Sequence, residues 1–79
     1  IEMRAGLHIG EIELRGDDVG GLAVHVASRI EGCCKANQIL VSRTVADLTI
    51  GTNAFALKNA GNFELKGIEG TWELCEAIL

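Results

Sequence analysis

Leu22-Ala23-Val24-His25-Val26-Ala27-Ser28-Arg29-Ile30-Glu31-Gly32-Cys33-Cys34-Lys35 is the stretch around which this chain organises. Leu22, Ala23, Val26, Ala27, Ile30, Cys33 and Cys34 recur at helical spacing on one face, so residues 22–35 read as an amphipathic helix. Val24 is apolar off that stripe. Glu31 and Lys35 form a favourable i,i+4 pair, and Asn37 is an end signal.

Upstream, Met3, Ala5, Leu7 and Ile9 alternate as a strand does. The phase breaks at Gly10-Glu11, and Ile12 and Leu14 resume in the opposite parity, so a bulge or tight turn is expected near Gly10. Residues 15–21 read as a glycine-rich loop, with an aspartate placed to cap the helix.

Downstream, Gln38–Ser42 reads as a short buried strand. Ser42 or Thr44 then caps a brief helix carrying Val45, Ala46 and Leu48, which stops at Gly51. Residues 54–58 and 62–66 read as two strands joined by an Asn59-Ala60-Gly61 hairpin. Gly67 and Gly70 flank another turn, and residues 71–78 form a last strand with Trp72, Leu74 and Ala77. The order strand, helix, strand, helix, strand, strand, strand implies an α+β layer with a mostly antiparallel sheet and two helices.

Composition narrows the function. The chain has 79 residues, a net charge of −4 and 4% aromatics, which argues against a nucleic-acid binder and against direct contact with an anionic membrane. No apolar run approaches the roughly 20 residues of a membrane span. The chain opens at Ile1 directly in a strand-like pattern and is read as part of a longer protein. Cys33, Cys34 and Cys75 show no C-x-x-C spacing, so they read as buried thiols of a reducing cytoplasm rather than zinc ligands. Cys33 and Cys34 lie on the apolar stripe, with nothing to make them reactive.

Four residues stand out chemically. His25 and Arg29 are spaced i,i+4 on a face other than the apolar stripe. Two cationic groups there gain nothing from each other, so an anion is one explanation and a solvated helix face the other. Arginine suits phosphate because its planar fork donates bidentately. Asp17 and Asp18 would repel a phosphate, and the loop lacks both P-loop and G-x-G-x-x-G spacing. Asp18 therefore fits a hydrogen-bond donor such as an exocyclic amine, a metal, or simply the helix cap. Lys66 at a strand end can aim a compact charge at a phosphate, or be an ordinary exposed lysine. His8 reads as a satisfied sheet histidine. The pairs Glu11/Glu13 and Asp17/Asp18 do not make a general acid–base site on their own.

Arg4-Ala5-Gly6-Leu7-His8-Ile9-Gly10-Glu11, the run from Gly16 to Ile30, Ile39-Leu40-Val41-Ser42 and Glu64-Leu65-Lys66-Gly67 together resemble the class III nucleotidyl cyclase catalytic domain, in its short bacterial form. The resemblance covers nearly the whole chain. It implies a ferredoxin-like class III cyclase fold of which residues 1–79 are the C-terminal part, the N-terminal half being absent. It implies an adenylate cyclase converting ATP to 3′,5′-cyclic AMP and pyrophosphate, as a cytoplasmic homodimer with the active site at the interface. By that resemblance Arg29 is the transition-state arginine, Asp18 accepts from the adenine amino group and Lys66 contacts the terminal phosphates. His25 stands where the family usually has an Asn that orients the ribose and the reacting phosphate. Mg2+ or Mn2+ is the implied cofactor, with its ligands in the missing half and none here. The resemblance leaves a second reading open, a catalytically degenerate module that binds nucleotide or dimerises to regulate a fused domain.

Overall fold

The computed structural model describes residues 2–10, 13–15, 18–52 and 56–78. Among them, β1 (Arg4–Leu7) is followed by β2 (Glu13–Arg15), β3 (Asp18–Gly20), α1 (Leu22–Gly32), β4 (Gln38–Ser42), α2 (Arg43–Thr49), β5 (Ala56–Glu64) and β6 (Thr71–Ile78). A four-stranded sheet runs in the order β1-β4-β6-β5. β1 and β4 pair in parallel, which requires a crossover, and α1 lies on that crossover. β6 pairs antiparallel with β4 on one side and with β5 on the other, so the sheet is mostly antiparallel, as the sequence implies.

Successive strand residues face opposite sides of a sheet, and the core divides accordingly. Leu40 and Leu74 meet Val26 and Ile30 of α1, with Cys34 and Leu65. Their neighbours Val41 and Cys75 meet Val45 and Ala46 of α2. The sheet is thus sandwiched between one helix and the other. Gly6 permits the closest approach: a Cβ there would stand 2.6 Å from the Ala27 carbonyl oxygen, so α1 lies directly on the β1 backbone. Cys34 adds to this seam, its thiol donating to the Ala5 carbonyl at 3.3 Å, and burial pushes that thiol's pKa up. β1 forms one edge of the sheet, and Met3, Leu7 and Ile9 are exposed along and beyond it.

β4 and β6 match the expected strands, and Ser42 is the N-cap of α2, its hydroxyl accepting from Val45 N–H at 3.4 Å. Four expectations are corrected. α1 ends at Gly32 with Cys33 as C-cap, so Lys35 lies beyond the helix and the Glu31–Lys35 pair does not form on it. The expected loop over 15–21 contains strand: β2 and β3 pair antiparallel, Leu14 opposite Val19. The helix cap is Gly21, with no side-chain cap bond, so Asp18 is a strand residue and not the cap. Asn59-Ala60-Gly61 is no hairpin. β5 continues through it and pairs with β6 along its whole length, with a bulge between Asn59 and Gly61. The Asn59 side-chain oxygen accepts the Gly61 N–H at 2.7 Å, which satisfies the backbone where the ladder is interrupted. Residues 11, 12, 16 and 17, including Glu11, Ile12 and Asp17, and residues 54 and 55 of the expected strand lie outside the described residues.

Candidate functional site

α1 carries two of the four singled-out residues on the side away from its apolar stripe. His25 is exposed and Arg29 is half-buried one turn further on. The apolar face that turns them outward is anchored by Val26 and Ile30, both 0% exposed, so the helix cannot rotate without opening the core. The Arg29 Nε atom is buried and has no hydrogen-bond partner among the described residues. A buried donor left unpaired costs about 1–3 kcal/mol, more when charged. One guanidinium donor, Nε, is therefore left without a partner among the described residues.

The turn between β5 and β6, residues 65–70, brings up the third residue. Leu65 is 3% exposed and anchors the turn, while Lys66 is exposed beside it. Ile68 N–H donates to the Leu65 carbonyl at 3.0 Å. Gly67 takes φ +78°, a left-handed value that a side chain disfavours. A Cβ on Gly67 would stand 3.7 Å from His25 Nε2. The turn and the exposed side of α1 therefore adjoin, and His25 and Lys66 belong to one locale. An open cleft of about 470 Å³ lies along the turn, lined by Lys66, Ile68, Gly70 and Thr71 with Glu64 and Leu65.

Asp18 stands at the start of β3, which leads through Gly20 and Gly21 into α1. The backbone thus delivers it to the N-terminal end of the helix that carries His25 and Arg29.

Among the described residues no three His, Cys, Asp or Glu side chains are grouped to hold a metal ion. The cysteines are free thiols, Cys34 and Cys75 buried and Cys33 half-buried. No helix of the described residues is long and apolar enough to cross a membrane.

Two further residues brace this locale, Trp72, which the sequence marks only as a strand residue, and His8. Trp72 donates its indole N–H to the Glu69 carbonyl in the turn, at 3.2 Å. His8, just past β1, meets Trp72 edge-on at 5.4 Å between ring centroids, and its Nδ1 lies 2.8 Å from Ser42 Oγ. Ser42 Oγ also accepts from Val45 N–H and has a second lone pair, so its hydrogen bond with His8 Nδ1 forms with the neutral ring in either tautomer. Burial lowers the His8 pKa, favouring the neutral ring. The satisfied sheet histidine expected from sequence is thus found. Its partners come from β4 and β6, which nothing in the local pattern of β1 reveals.

A sequence model of the adenylate and guanylate cyclase catalytic domain matches residues 1–75. Among solved structures, the chain is similar to an adenylate/guanylate cyclase/hydrolase from Silicibacter pomeroyi, at 27% identity and a TM-score of 0.76. That similarity covers 89% of this chain and 41% of the other, so this chain spans less than half the length of that protein. No curated protein sequence matches it.

Proposed function

Since the chain belongs to the adenylate and guanylate cyclase catalytic domain family, we propose that it is the C-terminal part of an adenylate cyclase catalytic domain. The reaction would convert ATP to cyclic AMP. The ribose 3′-oxygen bonds to the α-phosphorus, the bond from that phosphorus to the β-phosphate oxygen breaks, and pyrophosphate leaves. The 3′-hydroxyl proton passes to solvent water as the new bond forms.

Negative charge grows on the α-phosphoryl oxygens and the leaving pyrophosphate, so cationic donors fixed in advance lower the barrier. Arg29 suits this role. The observation that carries the reading is its buried Nε with no acceptor among the described residues, a donor suited to an anion brought by the substrate. Lys66 would meet the terminal phosphates, and His25, facing Gly67, would orient the ribose and the reacting phosphate. Asp18 would accept from the adenine amino group and so favour ATP over GTP.

Mg2+ or Mn2+ would supply Lewis-acid stabilisation of the phosphates. No three His, Cys, Asp or Glu side chains of the described residues are grouped to hold such an ion, and in this reading its ligands lie in the N-terminal half of the domain. A homodimer with the active site at its interface accords with Leu22 and Val24, large apolar side chains left exposed beside His25. A reducing cytoplasm accords with the free thiols.

One feature favours a second reading, a nucleotide-binding or dimerising regulatory module without catalysis: His25 stands where the family usually has Asn. Replacing Arg29 by Ala in the full-length protein separates the two, because a loss confined to turnover belongs only to the enzyme.

A further inference from the structure

We infer that Trp72 is a positioning residue for the β5–β6 turn, holding the backbone from which Lys66 reaches the terminal phosphates of a nucleoside triphosphate. The inference rests on the role proposed for Lys66. A lysine has a flexible four-carbon stem, so its charge is placed only as well as the backbone that carries it. That backbone turns at Gly67 and Gly70, at φ +78° and +87°, both conformations that glycine adopts freely. Few fixed points restrain it. Leu65 is buried at the entrance, and one backbone bond, Ile68 N–H to Leu65 O, closes the first half. The second half is tied by the Trp72 indole N–H to the Glu69 carbonyl.

Trp72 is itself held from behind. Its ring packs against the cluster of Val26, Ile30, Leu40 and Leu74, and it pairs across the ladder with Phe63. The His8 ring meets it at an interplanar angle of 85°, the edge-to-face arrangement aromatic pairs favour. His8 in turn is fixed by Ser42, which is 1% exposed and caps α2. A continuous series of contacts therefore runs from the α2 cap through His8 and Trp72 to the turn. Phenylalanine would satisfy the packing. The indole N–H is what tryptophan adds, and its acceptor is a carbonyl of the turn that carries Lys66.

The test compares binding of 3′-deoxy-ATP, which lacks the attacking hydroxyl, with 3′-deoxy-AMP, which lacks the terminal phosphates. Both are titrated against the full-length protein, Lys66→Ala and Trp72→Phe. Trp72→Phe is expected to weaken 3′-deoxy-ATP about three- to tenfold, the scale of one hydrogen bond, and to leave 3′-deoxy-AMP unchanged. Lys66→Ala is expected to do the same, more strongly. Wild-type affinity in Trp72→Phe, with a loss in Lys66→Ala, overturns the inference and leaves the Lys66 role standing. No loss in Lys66→Ala overturns that role, and the inference with it. An equal loss of both nucleotides in Trp72→Phe makes Trp72 a general support of the fold and also overturns it. If Trp72→Phe does not fold, benzothienylalanine at position 72 keeps the ring shape, removes only the N–H, and is judged by the same outcomes.

Discussion

His25 and Gly67 meet across the gap between α1 and the β5–β6 turn, the imidazole Nε2 lying 3.7 Å from where a Cβ on Gly67 would stand. This contact joins a helix residue to a turn that follows it by two strands and a second helix. It makes the spacing of His25 and Lys66 a property of the packed fold.

Gly67→Ala is expected to lower stability by about 1–2 kcal/mol, because φ +78° places a Cβ against its own backbone. The new methyl would make only an ordinary van der Waals contact with His25, so the cost lies in the backbone. Urea unfolding of the purified protein checks this. Wild-type stability would mean that the turn reaches the same place with ordinary dihedrals.

Gly6→Ala acts by another route. Its backbone conformation is ordinary for a strand, but an added methyl would meet the Ala27 carbonyl oxygen at 2.6 Å. Backbone cannot step aside as a flexible side chain does, so a loss near the upper end of the usual overpacking range, about 1–3 kcal/mol, is expected. Thermal melts of the two proteins decide it. An unchanged midpoint would contradict the close seating of α1 on β1.

His8 predicts a pH dependence of stability. Burial holds its folded pKa below the ordinary 6.5, so the unfolded ring takes up a proton at higher pH than the folded one. Stability therefore falls as pH drops through 6.5 towards the folded pKa, and levels off below it. His8→Phe should remove this component. Unfolding free energies measured from about pH 7.5 down to about pH 5 should show the steeper fall in wild type. Parallel curves in the two proteins would rule it out.

Ser42→Ala should cost about 1 kcal/mol for the lost cap of α2. It also frees His8 from its anchor, so its effect and that of His8→Phe should be non-additive in a double-mutant cycle. Additive losses would mean that the cap and the histidine act independently.

These expectations differ in how far they were legible in the sequence. α1, β4, α2 and β6 follow from periodicity, caps and β-branched runs, because each buries one well-patterned face. Asn59-Ala60-Gly61 reads as a hairpin because that sequence suits a turn and a bulge alike. The choice is made by β6, which runs alongside without a break and draws residues 56–64 into one strand. Asp18-Val19-Gly20 has poor strand propensity and reads as loop, and its pairing with β2 outweighs that. At the candidate site, the positions of His25 and Arg29 were legible from helical spacing. The proximity of His25 to the Lys66 turn was not, since it depends on tertiary packing. Trp72 was legible as a strand residue only. Its bond to Glu69 is local in sequence, and the glycines at 67 and 70 were the signal that this turn needed a tie.

Asp18→Ala in the full-length protein should narrow the preference for ATP over GTP, by roughly the 1–3 kcal/mol that a bidentate base contact is worth, or less for a single bond. Competition between the two nucleotides measures it. Undiminished selectivity would remove Asp18 from base recognition.

The most direct measurement is steady-state kinetics of cyclic AMP formation by the full-length protein and its Arg29→Ala variant, with the KM for ATP read beside kcat. If Arg29, with its unpaired Nε, is kept for charge that develops in the transition state, kcat falls by about 10²-fold or more while KM changes little. A KM that rises with kcat unchanged, or no turnover in either protein with ATP still bound, would contradict that account.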